Sequence, residues 1–236
     1  MIYALVDERV SDKCSESLAS RGFSVIKLPK IDRLPAPIAS HTDIICFSLG
    51  GKLFFSESYF KANFDTLSPL LPNISLLTRE EQGVNYPLDA IFNGLLLSGR
   101  LFCKSDSFCR EIIEYAENEG FEIISVKQGY PACVTLKVGE SAVVTADRGM
   151  ARVLTENGIS VLTIENGDIA LPPYEYGFIG GCAGAFGSEI FFLGDIKKHR
   201  SGEKICEFIE MFGKKAVSLS DEPLSDLGGI IFTEIS

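Results

Sequence analysis

One unit recurs along this chain: two short apolar runs joined by a turn, a helix-like segment, and a third apolar run. Gly139 to Asp147 reads "GESAVVTAD" and Gly187 to Asp195 reads "GSEIFFLGD", the same apolar core held between a glycine and an aspartate. The first leads into "RGMARVLTENG" and "ISVLTIE", the second into "GEKICEFIEMFG" and "KKAVSLS". Ile205, Phe208, Ile209 and Phe212 fall at the i, i+3, i+4, i+7 spacing of one buried helical stripe. A third copy is "FNGLLLSGRLFCKSD" followed by "SFCREIIEYAENEG" and "FEIISVK". A fourth is "TDIICFSLGGKLFFS" followed by "ESYFKANFDTLSPLLPN" and "ISLLTRE", where Gly-Gly between apolar runs predicts two short strands joined in a hairpin.

The fifth copy is split. "MIYALVDERV" supplies a strand ending at Asp7, "SDKCSESLASRG" a helix capped by Ser11 or Asp12, and "FSVIKLP" the strand after it. The strand that should precede them is missing, and the chain closes on "LSDLGGIIFTEIS", which can supply it. Each unit has too little core to stand alone, so its apolar faces must be buried against its neighbours. Pairing the two terminal strands would close a ring and remove its exposed edges. The expectation is an α/β fold: a five-module α/β propeller with pseudo-fivefold symmetry, one domain over 1–236. The competing reading is a generic α/β or α+β domain. Asp7, Asp106, Asp147 and Asp195 each precede a helix and are predicted to be N-caps.

Composition narrows the partners. A formal charge of -10 argues against backbone-led nucleic-acid binding, and the concentrated basic run, Lys197 to Arg200, reads as a solvated helix start. The seven cysteines contain no C-x-x-C pair and several lie in apolar runs, which predicts free thiols in a reducing compartment. The opening residues carry neither a basic region nor a long apolar stretch, so no signal peptide, no membrane partner and a cytoplasmic protein are expected. With His41 and His199 as its two histidines, the chain has no multi-histidine metal site, and no recognised ligand spacing supports a mixed one. Neither a metal nor a cofactor is expected.

The glycines of "YGFIGGCAGAFG", Tyr176 to Gly187, do not make a nucleotide loop. Gly181, Gly184 and Gly187 are spaced three apart, the segment leads into a strand rather than a helix, and no Gly-Lys-Ser/Thr follows. In the repeat this segment is a module entrance: Tyr130 corresponds to Phe178 and Cys133 to Gly181, while "NYPLDAIFNG" matches "GYPACVTLKVG" and sets Asp89 in the role of Cys133. Small residues there let backbone approach the axis or a ligand. The candidate ligand-binding residues on the axial rim are Asp43, Asp89, Asn93, Gln128, Tyr130, Tyr176, Gly180, Gly181 and Asp226, with Cys133 beside them. Acidic groups around a concavity suit a small polar molecule bearing an amine, guanidine or amide. Structural roles stand against this: Asp89 and Asp226 as turn caps, Asn93 satisfying backbone, the tyrosines as packing.

The motifs "NYPLDAIFN", "KQGYPAC", "YEYGFIGGCAG" and "PLSDLGGIIF" resemble an uncharacterised bacterial family of the pentein, or guanidino-group-modifying enzyme, fold. That fold is a five-module propeller shared by arginine and agmatine deiminases, amidinotransferases and dimethylarginine dimethylaminohydrolases. The resemblance implies a cysteine nucleophile in the closing module, just after a glycine-rich stretch, supported by histidine and carboxylates. Here that region is "DLGGIIFTEIS", where Phe232 or Thr233 stands near the cysteine position and neither can act as a thiolate. The histidine motif is absent too, and His199 reads as a helix-start or surface residue. Cys133 or Cys182 could act as a relocated nucleophile, Cys133 first and with Asp89 as its provisional partner, although no His or Lys neighbours either thiol in sequence. Three functions follow: a binder of a small polar ligand without the closing-module mechanism, a divergent hydrolase or transferase acting on a guanidino, amidine or amide group through Cys133, or a structural or interaction module. Oligomeric state is not legible.

Overall fold

A strand buried on both faces must be apolar at successive positions, because alternate side chains point to opposite sides. "ALV", "LFF", "LFC", "AVV" and "IFF" meet this requirement, and each lies in the middle strand of a three-stranded sheet. The computed structural model describes residues 1–235, without the side chain of Leu76.

The chain begins with β1 (Ile2–Asp7), α1 (Asp12–Ser20) and β2 (Ser24–Leu28). The second unit comprises α2 (Thr42–Ile45), β3 (Phe47–Leu49), β4 (Lys52–Ser56), α3 (Glu57–Ala62), α4 (Phe64–Leu67) and β5 (Ile74–Thr78). The third comprises β6 (Leu95–Leu97), β7 (Arg100–Cys103), α5 (Arg110–Asn118) and β8 (Glu122–Ser125). The fourth comprises β9 (Thr135–Gly139), β10 (Ala142–Thr145), α6 (Arg148–Glu156) and β11 (Ser160–Thr163). After β12 (Ile169–Ala170) come β13 (Ala183–Phe186), β14 (Glu189–Phe192), α7 (Gly202–Met211) and β15 (Lys215–Ser218), then β16 (Leu224–Ser225) and β17 (Ile231–Glu234).

Among the described residues, five sheets share one order: a first strand antiparallel to the middle strand, and a third strand parallel to it. The parallel crossover is made by the helical segment, as parallel pairing requires. In the first sheet the antiparallel strand is β17, with Ile2 opposite Glu234 and Leu5 opposite Ile231, so the C-terminal strand completes the N-terminal unit. Asn73 Nδ2 donates to Thr233 Oγ1 at 2.6 Å and to the Glu234 carbonyl at 2.7 Å, tying that strand to the second unit. The Gly-Gly hairpin forms as expected, with φ of 58° and 79° at Gly50 and Gly51.

Period-two alternation sends each middle strand into two cores. Leu53 and Phe55 of β4 join the side chains of β2, whereas Phe54 between them joins those of β7 and α5. Phe102 of β7 leaves Leu101 and Cys103 to pack with Val143, Met150 and Leu154 of the fourth unit. Val144 in turn packs with Ile190, Phe192, Ile205 and Ile209 of the fifth. The fifth unit's Phe191 and Val217 pack with Ala4, Val6, Cys14 and Leu18 of the first. Each core thus belongs to two successive units, and the last unit packs on the first.

Local expectations are partly corrected. Asp147 caps α6, accepting from Met150 N at 2.8 Å, and Asp195 caps the 3-10 turn Ile196–Lys198. Asp7 caps nothing: it is fully buried, held by Arg9 and Ser40, and Ser11 caps α1. Asp106 is an exposed partner of Lys104. His199 precedes α7 but is buried rather than on the surface. Thr42–Ile45 is a helical turn rather than strand, because the His41 carbonyl accepts from the backbone N–H groups of Ile44 and Ile45.

Candidate functional site

Two cavities meet near Asp43. The larger, about 780 Å³, is lined by residues of the antiparallel outer strand of each of the five three-stranded sheets, among them Phe47, Leu95, Thr135, Ala183 and Ile231. Its lysines are committed, Lys137 to the Leu96 carbonyl and Glu140, Lys214 to the Gly187 carbonyl. The smaller, about 560 Å³, has exposed Val84, Tyr86 and Tyr174 at its mouth and His41, Asp43, Asp89, Tyr130, Cys133 and Asp226 deeper in. Convergent titratable groups make this cleft the candidate site in preference to the larger cavity.

Backbone pairing assembles the floor. The turn carrying His41 and Asp43 is anchored when Thr42 N and Asp43 N donate to the carbonyls of Leu227 and Gly228. Gly228, at φ 73°, passes so close to Thr42 and Asp43 that a Cβ would collide with both. Leu227 N and Gly229 N donate to the Gly181 carbonyl, and Gly181 N donates to the Cys133 carbonyl. A Cβ on Gly181 would strike Asp226 Oδ1 and Cys133 Sγ. Gly181 of "FIGGCAG" therefore makes room for two of the protein's own side chains, whereas Gly180 and Gly184 make room for the backbone of Ala132, Cys133, Thr135 and Ile230.

Asp226 is the hub. Its Oδ2 accepts from Phe178 N at 2.8 Å and its Oδ1 from Gly228 N at 3.2 Å, while the Cys133 thiol donates to Oδ1 at 3.4 Å. His41 Nδ1 lies 3.9 Å from Asp226 Oδ1, and His41 Nε2 is buried without a partner. Burial holds the imidazole below its usual pKa, so it is neutral at pH 7. Asp43 is driven up to about 8 by burial and then by the charge of Asp226. Burial, followed by Asp226 and Asp43, raises the Cys133 thiol well above its ordinary value. As folded, Cys133 is a protonated thiol.

Around this floor, Tyr130 donates its hydroxyl to Asp89 Oδ2 at 2.6 Å, and burial raises the Asp89 pKa. Asn93 Oδ1 accepts from Ala132 N at 2.8 Å, leaving Nδ2 unpartnered. Tyr176 lines the cleft, and its hydroxyl accepts from Asn166 Nδ2. Gln128 does not line it; its amide donates to Asp147 Oδ2 and its oxygen accepts from Tyr130 N. Gly180 faces the larger cavity and Gly181 is packed beneath Cys133. Cys182 is buried with its thiol on the Ile179 carbonyl. The residues expected on a rim, Asp43, Asp89, Asn93 and Asp226, are instead buried.

Sequence reasoning missed His41. It lies in the second unit and Cys133 in the fourth, and no spacing rule connects them; their one textual cue is that "HTD" stands at a module entrance, as "PAC" does. Beyond the floor, Arg9 grips Asp7 through two side-chain hydrogen bonds and donates to the carbonyls of Ala36 and Pro37, bracing the loop that ends at His41.

The fold is shared with known enzymes at low identity. A cysteine-to-serine variant of the dimethylarginine dimethylaminohydrolase of Pseudomonas aeruginosa, complexed with citrulline, superposes with a TM-score of 0.59 at 10% identity, over 93% of this chain and 91% of that one. A cysteine-to-serine variant of C. jejuni agmatine deiminase with substrate bound gives 0.56 at 10% identity, over 99% and 96%. An amidinotransferase from Microseira wollei gives 0.53 at 8% identity, over 92% and 88%. These likenesses are of fold, and they bear out the α/β, deiminase/amidinotransferase-like architecture expected from the motifs. No curated protein matches the sequence. One family model does match, over residues 5–231, and the chain accordingly belongs to the family of unknown function DUF6873.

Proposed function

We propose that the five sheets form a pentein-type five-module propeller, a single domain, and that its cleft binds a small cation with a planar guanidino or amidino head. The carrying observation is the floor itself: Asp43, Asp89 and Asp226 are buried together with a thiol and a neutral imidazole. Among the described residues that line the cleft there is no lysine or arginine. Concentrated acid without a counter-cation favours a positively charged guest, and the flat faces of Tyr86, Tyr130 and Tyr176 suit a planar one. The fold likeness to enzymes of guanidino compounds supports the same class. The free thiols support the expected reducing, cytoplasmic setting.

The test is calorimetric titration with agmatine and with a primary amine of equal length lacking the guanidino group. Agmatine should bind more tightly, and Asp43→Asn should weaken it by roughly tenfold, the loss of one charge-assisted contact. No binding, or binding indifferent to Asp43→Asn, would remove the proposal.

A hydrolase or transferase reading is favoured by one further observation, the unpartnered Nε2 of His41 in the cluster with Cys133. On that reading a bound cation lowers the thiol pKa, His41 takes the proton, and the sulfur attacks the guanidino carbon. His41 then returns the proton to the departing amine, and water releases the sulfur.

A further inference from the structure

The floor of the cleft has a second chemical capacity. A ring nitrogen of His41, a carboxylate oxygen of Asp43 and Cys133 Sγ all lie within 4.8 Å of one another. The three residues are 2%, 8% and 4% exposed. His41 Nε2 and Asp43 Oδ1 are both buried without a hydrogen-bond partner. Orphaned polar atoms of this kind are costly unless something else satisfies them, and two of them beside a thiol describe a set of ligands.

The donor set selects the guest. Imidazole nitrogen, thiolate sulfur and carboxylate oxygen suit Zn²⁺, which takes such ligands tetrahedrally at about 2.0–2.3 Å and keeps one position open in reactive sites. Ligands around such an ion stand roughly 3.3–3.8 Å apart by tetrahedral geometry, so closing the site needs shifts on the order of 1 Å. Ca²⁺ and Mg²⁺ need a shell of oxygens that this corner lacks. No side-chain cation competes for the place, since the guanidinium of Arg9 is engaged by Asp7 and, among the described residues, no lysine or arginine lines the cleft. Asp226 Oδ1 lies 3.9 Å from His41 Nδ1, so a shift on the order of 1 Å would let it accept the ring N–H as an outer partner does at metal-bound histidines.

We propose that His41, Asp43 and Cys133 form a three-ligand site for a divalent cation of borderline softness, Zn²⁺ above all, with its fourth position facing the cleft. Binding converts the Cys133 thiol to thiolate, and the proton passes to solvent. The proposal does not rest on a guanidino ligand, because no organic guest takes part in it.

Cobalt tests it. Chelator-stripped protein is titrated with Co²⁺ and then with Zn²⁺, and absorbance is followed in the near ultraviolet and the visible. The expected result is a thiolate-to-cobalt charge-transfer band with tetrahedral d–d absorption, both displaced by one equivalent of Zn²⁺. The band should vanish in Cys133→Ser and persist in Cys206→Ser, whose thiol on α7 is the partly exposed one. His41→Ala removes a ligand and should weaken Co²⁺ by more than the roughly 10–100-fold that loss of an outer partner costs. Circular dichroism checks that each variant folds, and the wild-type and Cys206→Ser spectra decide the matter if the others do not. Absence of the band in wild type, its loss in Cys206→Ser, or its survival in a folded Cys133→Ser would overturn the proposal.

Discussion

Cys133 Sγ lies 3.4 Å from Asp226 Oδ1, although the two residues are separated by 93 positions. The carboxylate has two backbone donors of its own and is fully buried on its side chain. Burial first, and then the charge of this carboxylate, hold the Cys133 thiol well above its ordinary pKa, so the folded protein keeps it protonated.

Asp226→Asn should therefore release the thiol. Alkylation of Cys133 should begin at lower pH than in wild type, read by mass spectrometry against a pH series. The amide can accept from one of the Phe178 and Gly228 N–H groups but not from both in the present geometry, so a stability loss of about 1–3 kcal/mol should accompany the change. An unshifted alkylation profile in a folded variant would show that Asp226 does not govern the thiol.

The pH dependence of stability should expose Asp43. Its folded pKa of about 8 lies above the unfolded carboxylate value, so the folded state holds a proton that the unfolded state has lost. This contribution to stability is full below pH ~4 and is lost as pH rises toward about 8. His41 and His199, both lowered by burial, work in the other direction below their unfolded value of ~6.5. Urea denaturation of wild type and Asp43→Asn isolates the carboxyl. The difference between them should move in favour of the variant from pH 4 to 8 and then level off.

Cation binding should follow the same proton. A guanidino cation favours the ionised form of Asp43, so affinity should rise by up to about tenfold per pH unit below 8 and flatten above it. Titrations in buffers of different ionisation enthalpy would count the released proton, and a pH-independent affinity would separate Asp43 from the binding step.

Gly181→Ala should be far more damaging than Gly139→Ala. The new methyl at 181 meets Asp226 Oδ1 and Cys133 Sγ, whereas at 139 its nearest neighbour is the Lys214 side chain at 3.8 Å. Overpacking predicts about 1–3 kcal/mol at the first site and close to zero at the second, compared by thermal or urea unfolding.

Truncation after Ile230 should destroy cooperative unfolding. It removes β17, leaves β1 with one paired edge, and uncovers Phe23, against which Phe232 packs at 4.9 Å between ring centroids. A single sharp transition in the truncated chain would show that the closing strand is dispensable.

The sheets were legible because their cause is local. A middle strand serving two cores must be apolar at every position, and "LFF", "LFC", "AVV" and "IFF" announce this wherever they occur. The unit split between the two chain ends was legible for the same reason, as a strand missing at one end and supplied at the other. Local reasoning failed where a longer-range partner took over: Asp7 follows the pattern of Asp147, but Arg9 and Ser40 claim its carboxylate and leave α1 to Ser11.

The sequence by itself determined the α/β unit, its repetition and the pairing of the two chain ends, since hydrophobic period and turn chemistry act over a few residues. It also put Cys133, Asp43, Asp89 and Asp226 among the candidates. Only the tertiary structure decided that His41 joins them, that the carboxylates are buried rather than on a rim, and that Gln128 serves the Asp147 cap instead. The physical reason is that a pKa or a ligand set depends on distances and burial between residues far apart in the chain. Those distances are fixed here by backbone hydrogen bonds between module entrances, which side-chain patterns do not record.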